Sequence, residues 1–120
     1  MDLKIKRVYE EPSPEDGLRI LVDRIWPRGI KKEKLAMHSW EKELAPSTEL
    51  RKWYGHDPEK YEEFKARYFA ELDSNNAAID FIDRIRGYDG TITLIFSAKD
   101  MEHSNAAVLA DWMGRHLGTI

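Results

Sequence analysis

Two polar stretches of this 120-residue sequence hold the side chains best suited to chemistry. The first, Asp23-Arg24-Ile25-Trp26-Pro27-Arg28-Gly29, follows the apolar run Ile20-Leu21-Val22. The second, Ser97-Ala98-Lys99-Asp100-Met101-Glu102-His103-Ser104-Asn105, follows the apolar run that ends at Phe96. The planar guanidinium forks of Arg24 and Arg28 suit a carboxylate or a phosphate, because each can meet two oxygens at once. Lys99, Asn105 and the backbone N–H groups after Ser97 extend such a cradle. Asp23 and His103 are the candidate acid or base, and Ser97 is a hydrogen-bonding residue, or a nucleophile if a base lies within reach. Gly29 permits a positive φ and close backbone approach, Pro27 stiffens the turn, and Trp26 can wall a pocket. Arg51 could reach the same area, or pair instead with Glu49 or Asp57.

Structural roles compete with each of these. Asp23 and Arg24 could form an ion pair tying a strand end to a helix, and Arg28, Lys31 and Lys32 a solvated positive loop. Asp57 reads as a helix cap with His56 merely preceding it, and Asp100 or Ser104 as the cap of the last helix, with His103 in its first turn. Glu102 and His103 are adjacent, so on a helix they would not face one another. His38, His56, His103 and His116 show no metal-ligand spacing, and no metal or cofactor is expected. The absence of cysteine excludes disulfides, thiolate nucleophiles and Cys-based zinc sites.

The elements that must position these groups alternate between strand and helix patterns. Residues 19–23 and Thr91–Phe96 are continuous β-branched and leucine runs, as in strands covered on both faces. Residues 3–9 alternate Leu3, Ile5 and Arg7 against lysines, which suits a sheet edge. The link across residues 10–17 is too short for an ordinary helical crossover, so a hairpin-like return and an abbreviated parallel connection both fit. Helices are expected from Ser47 to near Gly55, from the Asp57-Pro58-Glu59 start through Leu72, over 76–86, and over 103–116. One α/β domain over 1–120 follows, with a small, mainly parallel sheet of about three to four strands flanked by helices. A Rossmann-like three-layer or a partial two-layer arrangement would satisfy the pattern. If the strands at 19–23 and Thr91–Phe96 are parallel neighbours, the two polar stretches meet beyond their carboxyl ends.

The net charge of −3 provides no global basic field for nucleic acid or an anionic membrane, so anion binding must be local. No stretch reaches membrane-spanning length and the first residues lack the apolar run of a signal peptide, so a soluble cytoplasmic protein is expected. Oligomeric state is not encoded in any recognisable pattern.

The segments "PSPEDGLRILVDRIWPRGIKKEKL", "ELAPSTELRKWYGHDPEKYEEFKARY" and "TITLIFSAKDMEHSNAAVL" resemble the YeaO-like proteins, a family labelled as a domain of unknown function. The resemblance spans nearly the whole chain in the same order. It implies a relation to a wider set of α/β domains whose final strand often ends in Cys-Ala-Glu followed by Cys-His-Arg. Ser97-Ala98-Lys99 and Ser104-Asn105-Ala106 stand there in this sequence, so both cysteines are missing. The resemblance implies a fold and a site, and no established reaction. The expected function is binding of an anionic small molecule, phosphate- or nucleotide-bearing, with acid–base catalysis left open. The alternative is an interaction module that binds protein or nucleic acid through the basic segment from Arg24 to Lys34, against which the overall acidity weighs.

Overall fold

Side-chain alternation along two neighbouring strands decides what covers each face of the sheet. The computed structural model describes residues 1–118. In chain order its regular elements are β1 (Asp2–Arg7), β2 (Leu18–Leu21), β3 (Ser39–Trp40), α1 (Thr48–Tyr54), α2 (Tyr61–Asp73), α3 (Asn76–Ile85), β4 (Thr91–Phe96) and α4 (Asn105–Leu117). The four strands are all parallel in the order β1-β4-β2-β3, with Ile5 opposite Leu94 and Leu21 opposite Ile95. Ile20, Val22, Ile92, Leu94 and Phe96 share one buried cluster with side chains from all four α-helices. Leu21 and Ile95 belong to a separate cluster with Val8, closed by Trp26, Ile30, Leu35, Met37 and Trp40. Helices therefore cover one face, and the irregular chain between β2 and β3 covers the other. Of the two layer arrangements expected, this is the partial two-layer form.

β1 lies at an edge, as its lysine-rich alternation predicts. β4 lies between β1 and β2, so the link across residues 8–17 is the abbreviated parallel connection and not a hairpin. A 3₁₀ turn, Pro14–Asp16, makes this short return possible. Ser13 caps it by accepting from Glu15 N at 3.2 Å, and Asp16 accepts in return from Ser13 N at 3.0 Å. The turn sets Asp16 against the sheet, where Arg19 Nη1 (2.6 Å) and Lys6 Nζ (3.1 Å) both donate to its carboxylate. Thr93 Oγ1 donates to the Asp16 carbonyl at 2.7 Å, tying the turn to the central strand.

The helix signals hold with small shifts of boundary. Ser47 caps α1 through a 3.1 Å bond from Leu50 N, and Gly55 ends it in the left-handed region. Asp57 caps the turn Pro58–Lys60, from which α2 continues and buries Phe64, Tyr68 and Leu72. α4 starts at Asn105 behind the cap Ser104, two residues later than the periodicity suggests. Trp112 of α4 is buried and donates to Asp73 at the end of α2 (2.9 Å). Among the described residues no helix is long and apolar enough to cross a membrane.

Candidate functional site

β2 and β4 are parallel neighbours, so their carboxyl ends open side by side. Val22 N donates to Ile95 O (3.1 Å), the last backbone bond between these two segments before they part. Asp23 then bridges the gap: its Oδ2 accepts from Ser97 N at 2.9 Å and from Ser97 Oγ at 2.8 Å. Its own carbonyl accepts from Trp40 Nε1 at 2.6 Å. Burial pushes the Asp23 carboxyl above its ordinary range, with Ser97, Asn105 and the charge of Arg51 pulling it back in part.

This sets up a pH dependence. Because the folded state favours the neutral acid, the stabilisation tied to this group is complete below the unfolded pKa and is lost as pH rises through the raised folded pKa. Asp23→Asn keeps an oxygen for both Ser97 donors and removes the buried charge. We expect its thermal midpoint at pH 7 to equal or exceed that of the parent, with the gap closing as pH falls toward 4. A midpoint several degrees lower in the variant at every pH would show that the charge itself holds the strand ends together.

Beside this bridge lies a cavity of about 310 Å³. From the first polar stretch its lining takes Asp23, Arg24, Ile25, Trp26, Pro27 and Arg28; from the second, Ser97, Ala98 and Asn105. Ala45, Pro46, Arg51, Tyr54, His56 and Phe64 complete it. Arg24 Nη2 donates to Ala45 O (3.2 Å), while its buried Nε has no partner among the described residues. Among the described residues Arg24, Arg28 and Arg51 form no ion pair, so neither the Asp23–Arg24 pair nor an Arg51 pair with Glu49 or Asp57 is present. Among the described residues Asp23 is the one side-chain carboxylate in the lining.

The sequence-predicted residues thus divide. Asp23, Arg24, Trp26, Arg28, Arg51, Ser97 and Asn105 converge on the cavity, whereas Gly29, Lys99 and His103 lie outside its lining. Gly29 (φ 82°) lines a separate cavity, and Lys99 is exposed. His103 Nδ1 lies 2.7 Å from Asp100 Oδ2, and its ring meets Tyr61 edge-on at 5.0 Å. The bond from His103 holds the Asp100 carboxyl below its usual range.

Tyr54, His56 and Phe64 are lining residues that the sequence did not single out as a group. Tyr54 stacks on Phe64 with centroids 4.0 Å apart and donates its hydroxyl to the His103 carbonyl at 2.7 Å. Burial, with Asp100 nearby, pushes the Tyr54 hydroxyl up to about 12, so it remains a donor. His56 has φ 59°, a left-handed conformation that costs a non-glycine residue roughly 1 kcal/mol. It follows the left-handed Gly55, and the two turns carry the imidazole into the lining while Asp57 accepts from Glu59 N at 3.0 Å and caps the next turn.

A cavity over the carboxyl ends of two adjacent parallel strands is the usual ligand position of an open α/β domain. The chain belongs to the inactive DUF488-N3 subclade, whose family model matches residues 2–119. It is similar to the uncharacterized protein YeaO of Escherichia coli, 44% identical over 94% of this chain and 97% of that one. It is also similar to an uncharacterized protein of Mycobacterium tuberculosis strain H37Rv, 44% identical over 90% of each chain. No solved structure matches it.

Proposed function

We propose that this protein is a binding domain for a phosphate- or nucleotide-bearing small molecule, held over the ends of β2 and β4. One observation carries the reading: three arginines without ion-pair partners among the described residues line one cavity against a single carboxylate. Arg24 and Arg51 are half-buried and Arg28 is exposed. Leaving the two half-buried guanidinium groups unpaired is unfavourable, and an oxyanion would offset that cost with charge-assisted hydrogen bonds. Arg24 fixes its Nη2 on Ala45 O, which leaves Arg28 and Arg51 as the more adaptable anion ligands. Half-buried Trp26 supplies apolar surface for the rest of the molecule, with the buried Tyr54–Phe64 stack behind the lining.

The family description, an inactive subclade, supports binding without turnover. So does the placement of His103, an expected acid or base whose ring is taken up by Asp100 outside the cavity lining. Titration calorimetry with inorganic phosphate and with adenosine monophosphate tests the reading. Arg28→Ala and Arg51→Ala are each expected to weaken the tighter ligand by about 10- to 100-fold, the cost of a lost hydrogen bond to a charged group. Equal affinity in the parent and in both variants would remove this cavity from consideration.

A further inference from the structure

We propose a second anion site on the sheet face away from the helices, where Arg19 and two lysines take a small oxyanion, a carboxylate or a phosphate group. It rests on a different cavity and different residues, and so stands apart from the function proposed above.

The argument starts from buried charge. Asp16 and Arg19 are 5% and 6% exposed, and Lys6 shares the same carboxylate. Two cations therefore lean on one anion, Arg19 buried and Lys6 partly exposed, and the cluster carries a net positive charge. Arg19 donates Nη1 to Asp16 and Nε to Ala36 O (2.6 Å), but its Nη2 is buried without a partner among the described residues. A buried guanidinium donor left unpaired costs free energy comparable to a lost hydrogen bond, unless a ligand occupies it.

Arg19 also lines the second cavity, of about 490 Å³, together with Lys31 and Lys34. Glu10 and Glu11 line it too, with Glu10 Oε2 accepting from Arg7 N at 3.0 Å, so Arg19, Lys31 and Lys34 outweigh the two carboxylates by one positive charge. Lys31 and Lys34 are exposed and form no ion pair among the described residues. The cavity thus combines one fixed, desolvated donor with two free ammonium groups, an arrangement that favours an oxyanion small enough to reach the guanidinium while the lysines close over it.

Inorganic phosphate is the probe, followed by amide ¹H–¹⁵N shifts during titration. Saturable shifts are expected at Gly29, Ile30 and Ala36, persisting in an Arg28→Ala/Arg51→Ala background where the first cavity is disabled. They should weaken roughly tenfold or more in Lys31→Ala/Lys34→Ala, which alters only exposed side chains and should fold as the parent does. Arg19→Lys, with its fold checked by circular dichroism, should abolish saturation. The proposal is overturned if the parent shows no saturable shift at these amides. It is equally overturned if the double-lysine variant titrates like the parent, or if the shifts vanish in the Arg28→Ala/Arg51→Ala background.

Discussion

Asp16→Ala is expected to destabilise the fold by about 3–5 kcal/mol, the scale for removing one partner of a buried ion pair. The substitution leaves Arg19 charged, buried and anchored by its bond to Ala36 O, without the carboxylate that compensates it. Lys6 is partly exposed and can turn toward water, so most of the loss falls on Arg19. The reciprocal half of the capping box is lost as well, because Ser13 N no longer has its acceptor, while the bond from Glu15 N to Ser13 Oγ stays. Urea unfolding of Asp16→Ala and Asp16→Asn separates these contributions: the asparagine retains an acceptor for Ser13 N and should lie between parent and alanine. A loss of under ~1 kcal/mol in the alanine variant would place it with ordinary surface substitutions and contradict the account.

The same carboxylate predicts acid sensitivity. Burial raises its pKa, but the Ser13 amide, Lys6 and Arg19 more than reverse this, so the group sits below its ordinary value of 3.8. A depressed folded pKa gives stability that is present above the unfolded value and lost as pH falls through the folded one. The urea midpoint of the parent should therefore drop below pH 4, and that of Asp16→Asn should drop less. Asp23 acts in the opposite direction over a higher range, so comparing the two asparagine variants assigns each limb of the pH profile.

Gly17→Ala is expected to cost about 3 kcal/mol or more, from strain and steric overlap together. Gly17 has φ 63° and ψ −130°, and a Cβ there would lie 2.0 Å from the carbonyl oxygen of Thr91 and 2.8 Å from its carbon. Both atoms are backbone, in the first residue of a strand paired on both sides, so they cannot yield without disturbing β1 and β2. Gly29→Ala provides the control. Its φ is 82°, but a Cβ meets nothing within 4 Å, so the cost should be conformational alone, about 1–2 kcal/mol. Equal destabilisation of the two variants would mean that the close approach to Thr91 contributes nothing.

The central strands, the edge position of β1 and the capped helices were legible because each rests on a local rule: β-branched runs, alternation, or Ser, Asp and Asn ahead of helical turns. The convergence of Asp23, Arg24 and Arg28 with Ser97 and Asn105 followed from one topological premise, that β2 and β4 are parallel neighbours. β3 was not legible, since a two-residue strand is too short to show any period. Nor was the loop layer, because Trp26, Ile30, Leu35 and Met37 reach the sheet without regular spacing. His103 shows a further limit. Asp100 accepts from both its backbone N (3.2 Å) and its ring, a local turn that fixes the imidazole away from the cavity although the sequence places it near. Tyr54 and Phe64 enter through the packing of α1 against α2, which no spacing within either helix reports, and His56 through the left-handed turn between them.

Between Trp26 and Ile30 the chain does two jobs at once. Trp26 and Arg28 face the cavity at the strand ends, while Gly29 and Ile30 line the one beside Arg19. The segment is braced across itself by Trp26 Nε1 on Ile30 O (2.6 Å), and from outside by Tyr9, whose hydroxyl donates to Arg28 O at 3.0 Å. Surface loops ordinarily absorb insertions and deletions with little consequence. This one is a partition wall, and a change in its length would deform both chambers together.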